Sequence, residues 1–269
     1  MISLPSLATN YQSLSEINYT KSEYGNYVTG DSLSLRSTYY LDSKQTLGPN
    51  DQFAYINKTS NIYGLVSSSD TDNSLFSQRF DSKVYTFGGD YFFDKFSIGG
   101  SYSKVDAETS TNDHNFSVST LNLGYLVNKN LLVSTKATYN EGQDNNYEFS
   151  VKYNQQINTT DYLGYTFTSD DSFDTKTMAI KYFTHLGNSN YFAFDASYTD
   201  FIEDDSWNVE ANYYLNRKTS TFISYGKDKQ YAIGLSHFIN DSIGIKASYG
   251  TSSNDTDLEL FSLSLLAQF

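Results

Sequence analysis

The sequence predicts an all-β fold, a transmembrane antiparallel up-and-down β-barrel of about 16 strands. Its 269 residues include 25 Tyr and 19 Phe, and aromatic residues favour strands over helices. Many segments alternate apolar with polar residues, as half-buried strands do. No apolar run approaches the roughly 18 residues of a membrane-crossing helix. A chain that crosses a bilayer without helices must form a closed barrel.

The alternation is clearest in residues 131–140, 147–154 and 243–250. In the first of these, Leu131, Val133 and Ala137 are interleaved with polar residues, and Lys136 lies in the middle. A period of two with central charges fits one face on hydrocarbon and one on water. A soluble antiparallel protein, such as a sandwich, solenoid or propeller, is the alternative, because it shares this alternation.

Two further observations favour the membrane barrel. Pro5 and Pro49 both fall outside the predicted strands, so the hydrogen-bond ladders are uninterrupted. Aromatic residues cluster where strands meet turns, as at Tyr91 to Phe93 and at Tyr213 with Tyr214. In transmembrane barrels, aromatic rings lie at the two interfaces between membrane and water.

Short polar turns alternate with longer, acidic connections along the chain, as in a meander between two rims. This pattern predicts strands at 13–24, 32–41, 52–66, 81–93, 96–105, 115–126, 131–140, 146–156, 161–169, 175–184, 190–200, 206–215, 219–227, 230–238, 242–251 and 256–269. Residues 1–12 are expected to form a periplasmic or lumenal segment before a barrel of residues 13–269. Both termini then lie at the short-turn rim.

Composition excludes several functional classes. The net charge is −13, from 18 basic and 31 acidic residues, whereas nucleic-acid binding needs a basic surface. The chain has no Cys, which excludes disulfides and a thiolate nucleophile. His114, His185 and His237 are far apart in the predicted topology, so we expect no enzyme. The first 20 residues lack a basic, apolar leader, and we expect a mature segment behind an initiator Met.

The C-terminal strand ends in an apolar row of alternate residues that closes on an aromatic ring: Phe261, Leu263, Leu265, Ala267 and Phe269. This row resembles the assembly signal of Gram-negative outer-membrane β-barrels. The resemblance implies recognition by the barrel-assembly machinery and insertion into the bacterial outer membrane.

Over nearly its whole length the pattern resembles the general outer-membrane porins, which have sixteen strands, short periplasmic turns and longer external loops. The resemblance implies a passive diffusion channel for ions and small hydrophilic solutes, contact with outer-membrane lipid and lipopolysaccharide, and a homotrimer. A barrel that acts as a sheath, anchor or conduit for a partner protein or polymer is the alternative function.

The chain departs from that family at one connection. General porins fold a long third external loop into the lumen, but the corresponding residues here, Asp106 to His114, number only nine. Either the pore is open, or another element narrows it. The candidates are the Ser67 to Phe80 loop, the N-terminal dozen residues and long lumenal side chains.

The alternation also predicts which charged side chains line the pore. They are Arg36, Asp90, Lys136, Glu148, Lys152, Lys181, Asp195, Glu210 and Lys246, together with Glu16. These charges either create a transverse field that tunes ion selectivity or form scattered salt bridges. Tyr40, Phe92, Tyr162 and Tyr214 are candidate inward aromatics for a sugar path, unless they are packing residues.

More than half of the acidic residues fall in the predicted long connections. A solvated crown is one interpretation of this rim. The sharper one is a Ca²⁺ site, or divalent bridges to lipopolysaccharide, because hard cations prefer carboxylate oxygens. The candidate ligands are Asp170, Asp171, Asp174, Glu203, Asp204 and Asp205. No other cofactor is expected.

Overall fold

The computed structural model describes residues 10–142, 144–202, 204–252 and 258–269. These residues form sixteen antiparallel strands that close into a single up-and-down barrel. Each strand pairs with its neighbours in sequence, and the first also pairs with the last. Within the described ranges no helix is long and apolar enough to cross a membrane.

The strands vary in length from 8 to 18 residues. Their bounds are β1 Asn10–Tyr24, β2 Val28–Gln45, β3 Asn61–Asn73, β4 Gln78–Phe93, β5 Phe96–Thr109, β6 Asp113–Asn128, β7 Leu131–Asn140, β8 Asn146–Gln156, β9 Tyr162–Asp170, β10 Lys176–Gly187, β11 Asn190–Asp200, β12 Asp205–Tyr214, β13 Thr219–Gly226, β14 Gln230–Phe238, β15 Ile243–Ser252 and β16 Leu258–Gln268.

The two faces of the sheet differ as the alternation predicts. On the outer face Tyr19, Leu33 and Leu263 lie opposite one another across β2, β1 and β16, and all three are exposed. The inner face carries rows of short hydroxylated side chains that bond across strands. Examples are Thr86 with Ser103 and Ser101 with Thr120, each pair 2.8 Å apart.

The barrel closes where the first and last strands meet. Strands β1 and β16 pair from Leu14 opposite Gln268 to Tyr24 opposite Leu258. The backbone N–H of Ser13 donates to the carbonyl of Phe269 at 2.8 Å, and the backbone N–H of Phe269 donates to the carbonyl of Ser13 at 3.0 Å. This pairing removes the two free edges that an open sheet would expose to lipid.

We call the rim that holds the start of β1 and the end of β16 the terminal rim, and the opposite one the loop rim. Connections at the loop rim are short, for example 25–27, 74–77, 110–112 and 171–175. At the terminal rim most are also short, but residues 46–60 join β2 to β3 and do not belong to a strand. We call residues 46–60 the crossing segment.

The third strand was predicted wrongly. It runs from Asn61 to Asn73 rather than over 52–66, and residues 52–60 belong to the crossing segment. Phe53, Tyr55 and Ile56 resemble strand residues because they are apolar and closely spaced. Ile56 is buried, and Tyr55 packs inside the barrel.

The long external loops were also predicted wrongly. Residues 67–73 and 78–80 extend β3 and β4, and the nine-residue connection shrinks to residues 110–112. Strands β2 to β6 continue toward the loop rim with charged residues on their outer face, such as Asp70, Asp81 and Glu108. Polar composition there indicates sheet outside the hydrocarbon, not loop.

Neighbouring positions on β15 test the assignment of faces. Ile245 is 40% exposed on the outer face, and the ammonium of Lys246 lies 5.1 Å from the inward ring of Phe222. Because the chain has no Cys, a spin label can be placed at Ile245→Cys or Lys246→Cys alone. We expect the label at 245 to be more accessible to oxygen, which dissolves in the bilayer. We expect the label at 246 to be more accessible to a water-soluble nickel complex. Equal accessibility at both would contradict the barrel.

Candidate functional site: the barrel interior and the crossing segment

The crossing segment extends from β2 across the barrel interior to the opposite wall. Where the segment reaches the opposite wall, Arg217 in the turn between β12 and β13 holds it. The Arg217 guanidinium donates to the carbonyl of Gly48, and the Arg217 carbonyl accepts the N–H of Asn50, each at 3.0 Å. The amide of Gln52 donates to the hydroxyl of Tyr214 at 2.5 Å. These bonds fix the segment to strands distant in the barrel.

Apolar packing supports the same attachment. Tyr162, Phe183, Tyr191, Ala193 and Tyr214 form a buried cluster on the inner wall, and Leu47 and Tyr55 of the segment pack against it. The Phe183 side chain is fully buried, with ring centroids of Tyr162 and Tyr191 each 5.8 Å away. Burying such rings stabilises the attachment by about 1.5–3 kcal/mol per side chain.

Two glycines make room for these contacts. A Cβ at Gly164 on β9 would collide with the ring of Tyr55, and one at Gly48 would collide with the ring of Tyr191. Gly48 also has φ +134°, which other residues rarely adopt. The hydroxyl of Tyr55 lies 2.6 Å from that of Thr166, so its ring is fixed at both ends.

The segment carries one carboxylate into the interior. Burial raises the pKa of Asp51, and the charges of Lys246 and Lys181 oppose this shift. Burial likewise raises the pKa of Tyr55. Burial thus favours the neutral forms of these two side chains.

Asp161 stabilises the turn between β8 and β9, next to the buried cluster. Its carboxylate accepts the N–H of His185 at 2.9 Å and the hydroxyl of Thr184 at 3.0 Å. Burial raises the pKa of Asp161, but these bonds, with those from Asn158 and Thr160, hold it below its ordinary value. The turn thus positions Tyr162, which follows directly.

The strand register places all nine predicted pore-lining residues on the inner face. Two cross-strand ion pairs form among them, Lys136 with Glu148 at 3.0 Å and Lys181 with Asp195 at 3.3 Å. Glu210 is next to Asp195 in the same row. The remaining positions are Arg36 opposite Glu16, Lys152 opposite Thr166, Asp90 opposite Gly99 and Lys246 opposite Ser236.

The four candidate inward aromatics also lie on the inner face. Tyr40, Tyr162 and Tyr214 are buried, whereas Phe92 is partly buried. Tyr162 and Tyr214 contact the crossing segment, and the Tyr40 ring lies 5.9 Å from that of Tyr11. Packing therefore accounts for the three buried rings, and the sugar path stays a prediction.

Residues of the C-terminal row lie on the outer face. Phe261, Leu263, Leu265 and Phe269 are all exposed to the barrel surroundings. They continue the apolar outer face that β1 and β15 present on either side.

At the loop rim, the predicted Ca²⁺ ligands form two separate groups. Asp170 accepts the backbone N–H groups of Asp174 and Thr175 at 2.9 and 3.1 Å. Asp204 and Asp205 both pair with Lys227, the latter at 2.6 Å. These contacts and the Asp205 N–H lower the pKa of Asp204. Asp171 is exposed, and Glu203 lies outside the described residues.

One row of acids at the loop rim was not anticipated. It crosses five neighbouring strands on the outer face, each member directly opposite the next: Asp31, Asp70, Asp81, Glu108 and Asp113. Arg79 pairs with Asp70 and Asp81. Directly opposed like charges destabilise a sheet.

A closed barrel with an apolar, aromatic exterior and a hydroxylated, charged interior is a transmembrane channel of the outer-membrane type. The chain belongs to the family described as "Putative general bacterial porin", whose model matches residues 2–269. It is an outer-membrane porin, a diffusion channel inserted as a β-barrel.

Solved structures of outer-membrane proteins share this fold. Outer membrane protein Omp33 of Acinetobacter baumannii has a TM-score of 0.54 at 17% identity, covering 97% of this chain and 99% of that one. Pseudomonas aeruginosa OccK7 (OpdD) has a TM-score of 0.52 at 8% identity over 97% and 99%. OprD of the same organism has a TM-score of 0.51 at 9% identity, covering 98% of this chain and 97% of that one. A search of curated proteins found no match.

Sequence reasoning missed the crossing segment. Its signals were Gly48, Pro49 and Asp51, which disfavour a regular strand just before residue 52. Among the described residues no group of three or more acids or histidines is placed to share a metal ion. The Ca²⁺ site stays a prediction.

Chelation tests that prediction. If Ca²⁺ joins the acids at 170–174 or 203–205, EDTA should lower the temperature of heat-induced mobility shift, and excess Ca²⁺ should restore it. Asp204→Asn with Asp205→Asn should abolish the response if the ion lies at 203–205, and Asp170→Asn with Asp174→Asn should abolish it if the ion lies at 170–174. Asp94→Asn at the terminal rim should retain the response in either case. An unchanged transition after chelation would remove the site.

Proposed function

We propose that the crossing segment sets the size limit of this diffusion channel at its terminal rim. The carrying observation is that a fifteen-residue connection, 46–60, lies inside the barrel with Pro49 and Asn50 fully buried. From the sequence, either the pore was open or another element narrowed it, and here the crossing segment takes that constricting role. Ions and small hydrophilic solutes would pass between the segment and the hydroxyl-lined wall.

Replacing the segment tests the size limit. Substituting residues 47–59 with a short Gly-Ser turn should raise single-channel conductance in planar bilayers severalfold and admit larger uncharged sugars in liposome swelling. The physical reason is that the wall alone encloses a wider aqueous lumen.

A matched variant keeps the segment but weakens its anchor. Tyr214→Phe removes only the hydroxyl bonded to Gln52, and it should increase current noise without a large change in mean conductance. Equal conductance and equal sugar permeation before and after segment replacement would show that the segment does not limit passage.

Ion selectivity would follow from the interior pairs. The Lys136–Glu148 and Lys181–Asp195 pairs each carry no net charge, and their side chains are about one-third exposed. Reversing one member leaves two like charges side by side in the lumen, where they attract counter-ions over about a Debye length.

Reversal potentials in a KCl gradient test this. Lys136→Glu should shift selectivity toward K⁺, and Asp195→Lys should shift it toward Cl⁻. The double variant Lys136→Glu with Glu148→Lys restores the pair and should behave as wild type. If neither single change alters the reversal potential, these residues do not tune selectivity.

At the loop rim, the row of opposed acids supports an interaction with lipopolysaccharide through divalent cations. Such ions would screen the repulsion among Asp31, Asp70 and Asp81 and join them to anionic lipid. Lys83 and Lys104 lie on the same outer face, nearer the apolar band. An acidic rim of this kind would concentrate cations at the entrance.

Three further proposals concern assembly and activity. The exposed row ending at Phe269 supports recognition by the barrel-assembly machinery. A homotrimer is carried over from the family resemblance.

We also propose that the chain is not an enzyme, because His185 packs on Tyr191 inside the barrel while His237 faces outward beside Thr219. A conduit for a polymer is less well supported, since the crossing segment occupies its path.

A further inference from the structure

A cavity of about 470 Å³ lies at the terminal rim between the crossing segment and the wall. Its walls are the end of β2, residues 54–59 of the segment, and the turn and strand around residues 129–130 and 154–156. This volume is typical of small-molecule sites.

The cavity is basic, although the chain is acidic. Among the described residues that line it, Lys44, Lys58 and Lys129 are positively charged and none is a carboxylate. The chain as a whole carries −13. Gln45 and Asn130 also line it, and their side-chain amides can form hydrogen bonds to a polar solute.

Two of the lysines are held in place. The Lys44 ammonium donates to the Tyr40 hydroxyl at 3.1 Å and lies 4.5 and 4.6 Å from the ring centroids of Tyr40 and Phe53. The Lys58 ammonium donates to the carbonyl of Lys129 at 2.6 Å. Because these contacts order the side chains beforehand, a ligand loses less affinity to ordering them.

Lys58 and Lys129 also repel one another. Burial and the neighbouring charge of Lys129 lower the pKa of Lys58. An anion beside Lys58 would offset the repulsion from Lys129 and favour the charged form of Lys58. Binding should therefore weaken as pH rises through the pKa of Lys58.

We propose that this cavity binds small anionic solutes that carry a carboxylate or phosphate group as they pass the terminal mouth. The inference deepens the proposed channel function and rests on it, because it names a solute class retained at one end of the path. Lysines supply charge-assisted hydrogen bonds, and the amides accommodate further polar groups.

Planar-bilayer recording with succinate or inorganic phosphate tests the proposal. Either anion should reduce the KCl current in a saturable way from one side of the membrane. In the triple variant Lys44→Gln, Lys58→Gln, Lys129→Gln the half-blocking concentration should rise at least about tenfold. Block by succinate alone or phosphate alone would identify the preferred group. The cation spermidine should act equally on both proteins.

The control Lys83→Gln, Lys104→Gln, Lys176→Gln removes the same charge from the outer face, and it should block like wild type. Lys58→Arg keeps the positive charge beside the Lys129 carbonyl and should retain block, which separates lost charge from a loosened segment.

Calorimetry of both anions with the detergent-solubilised barrel separates a failure of the channel function from a failure of the cavity proposal. Absence of any steady open level in KCl would defeat the channel function while calorimetry still tests the cavity. An open channel whose block and binding are absent, or are unchanged in the triple variant, would overturn the cavity proposal.

Discussion

The structure depends on one constraint: inside a bilayer, every backbone N–H and C=O needs a partner within the protein. The register meets this need by pairing each strand with its neighbours from β1 to β16 and by the closing pair in which Ser13 and Phe269 exchange backbone hydrogen bonds. Register shifts lie at the terminal rim, where β1 begins and where β6 and β10 end. Once the sheet is closed, alternate side chains must face either hydrocarbon or the interior. The separation of Ile245 from Lys246 is a direct consequence of that closure.

Closure also determines how charge is accommodated. Lysines and carboxylates in mid-strand are tolerated because the interior is polar and because neighbours in register pair them, as Lys181 pairs with Asp195. At the loop rim, where strands extend beyond the apolar band, the outer face becomes charged and collects a row of acids. The cavity at the terminal rim, lined by Lys44, Lys58 and Lys129, is a local basic site in a chain whose net charge is −13.

The strand pattern was predictable because hydrogen-bonded neighbours need no long-range information: β7, β8 and β11 have the expected bounds. The inward parity of Lys136 and Glu210 followed from the same periodicity. Prediction failed where polar strands resemble loops, as at residues 67–73, and where an apolar connection resembles a strand, as at residues 52–60. Both errors arise because composition reports the surroundings of a side chain more directly than its backbone conformation.

By itself the sequence determined the barrel, its strand number and the two solvents that its faces meet, because a period of two depends only on local chain geometry. Only the tertiary structure decided that residues 46–60 cross the interior, since their partners Tyr214 and Arg217 are more than 150 residues away in sequence. It also decided that Lys44, Lys58 and Lys129 share one cavity. Contacts between such distant residues depend on the curvature of the closed sheet, which no local pattern encodes.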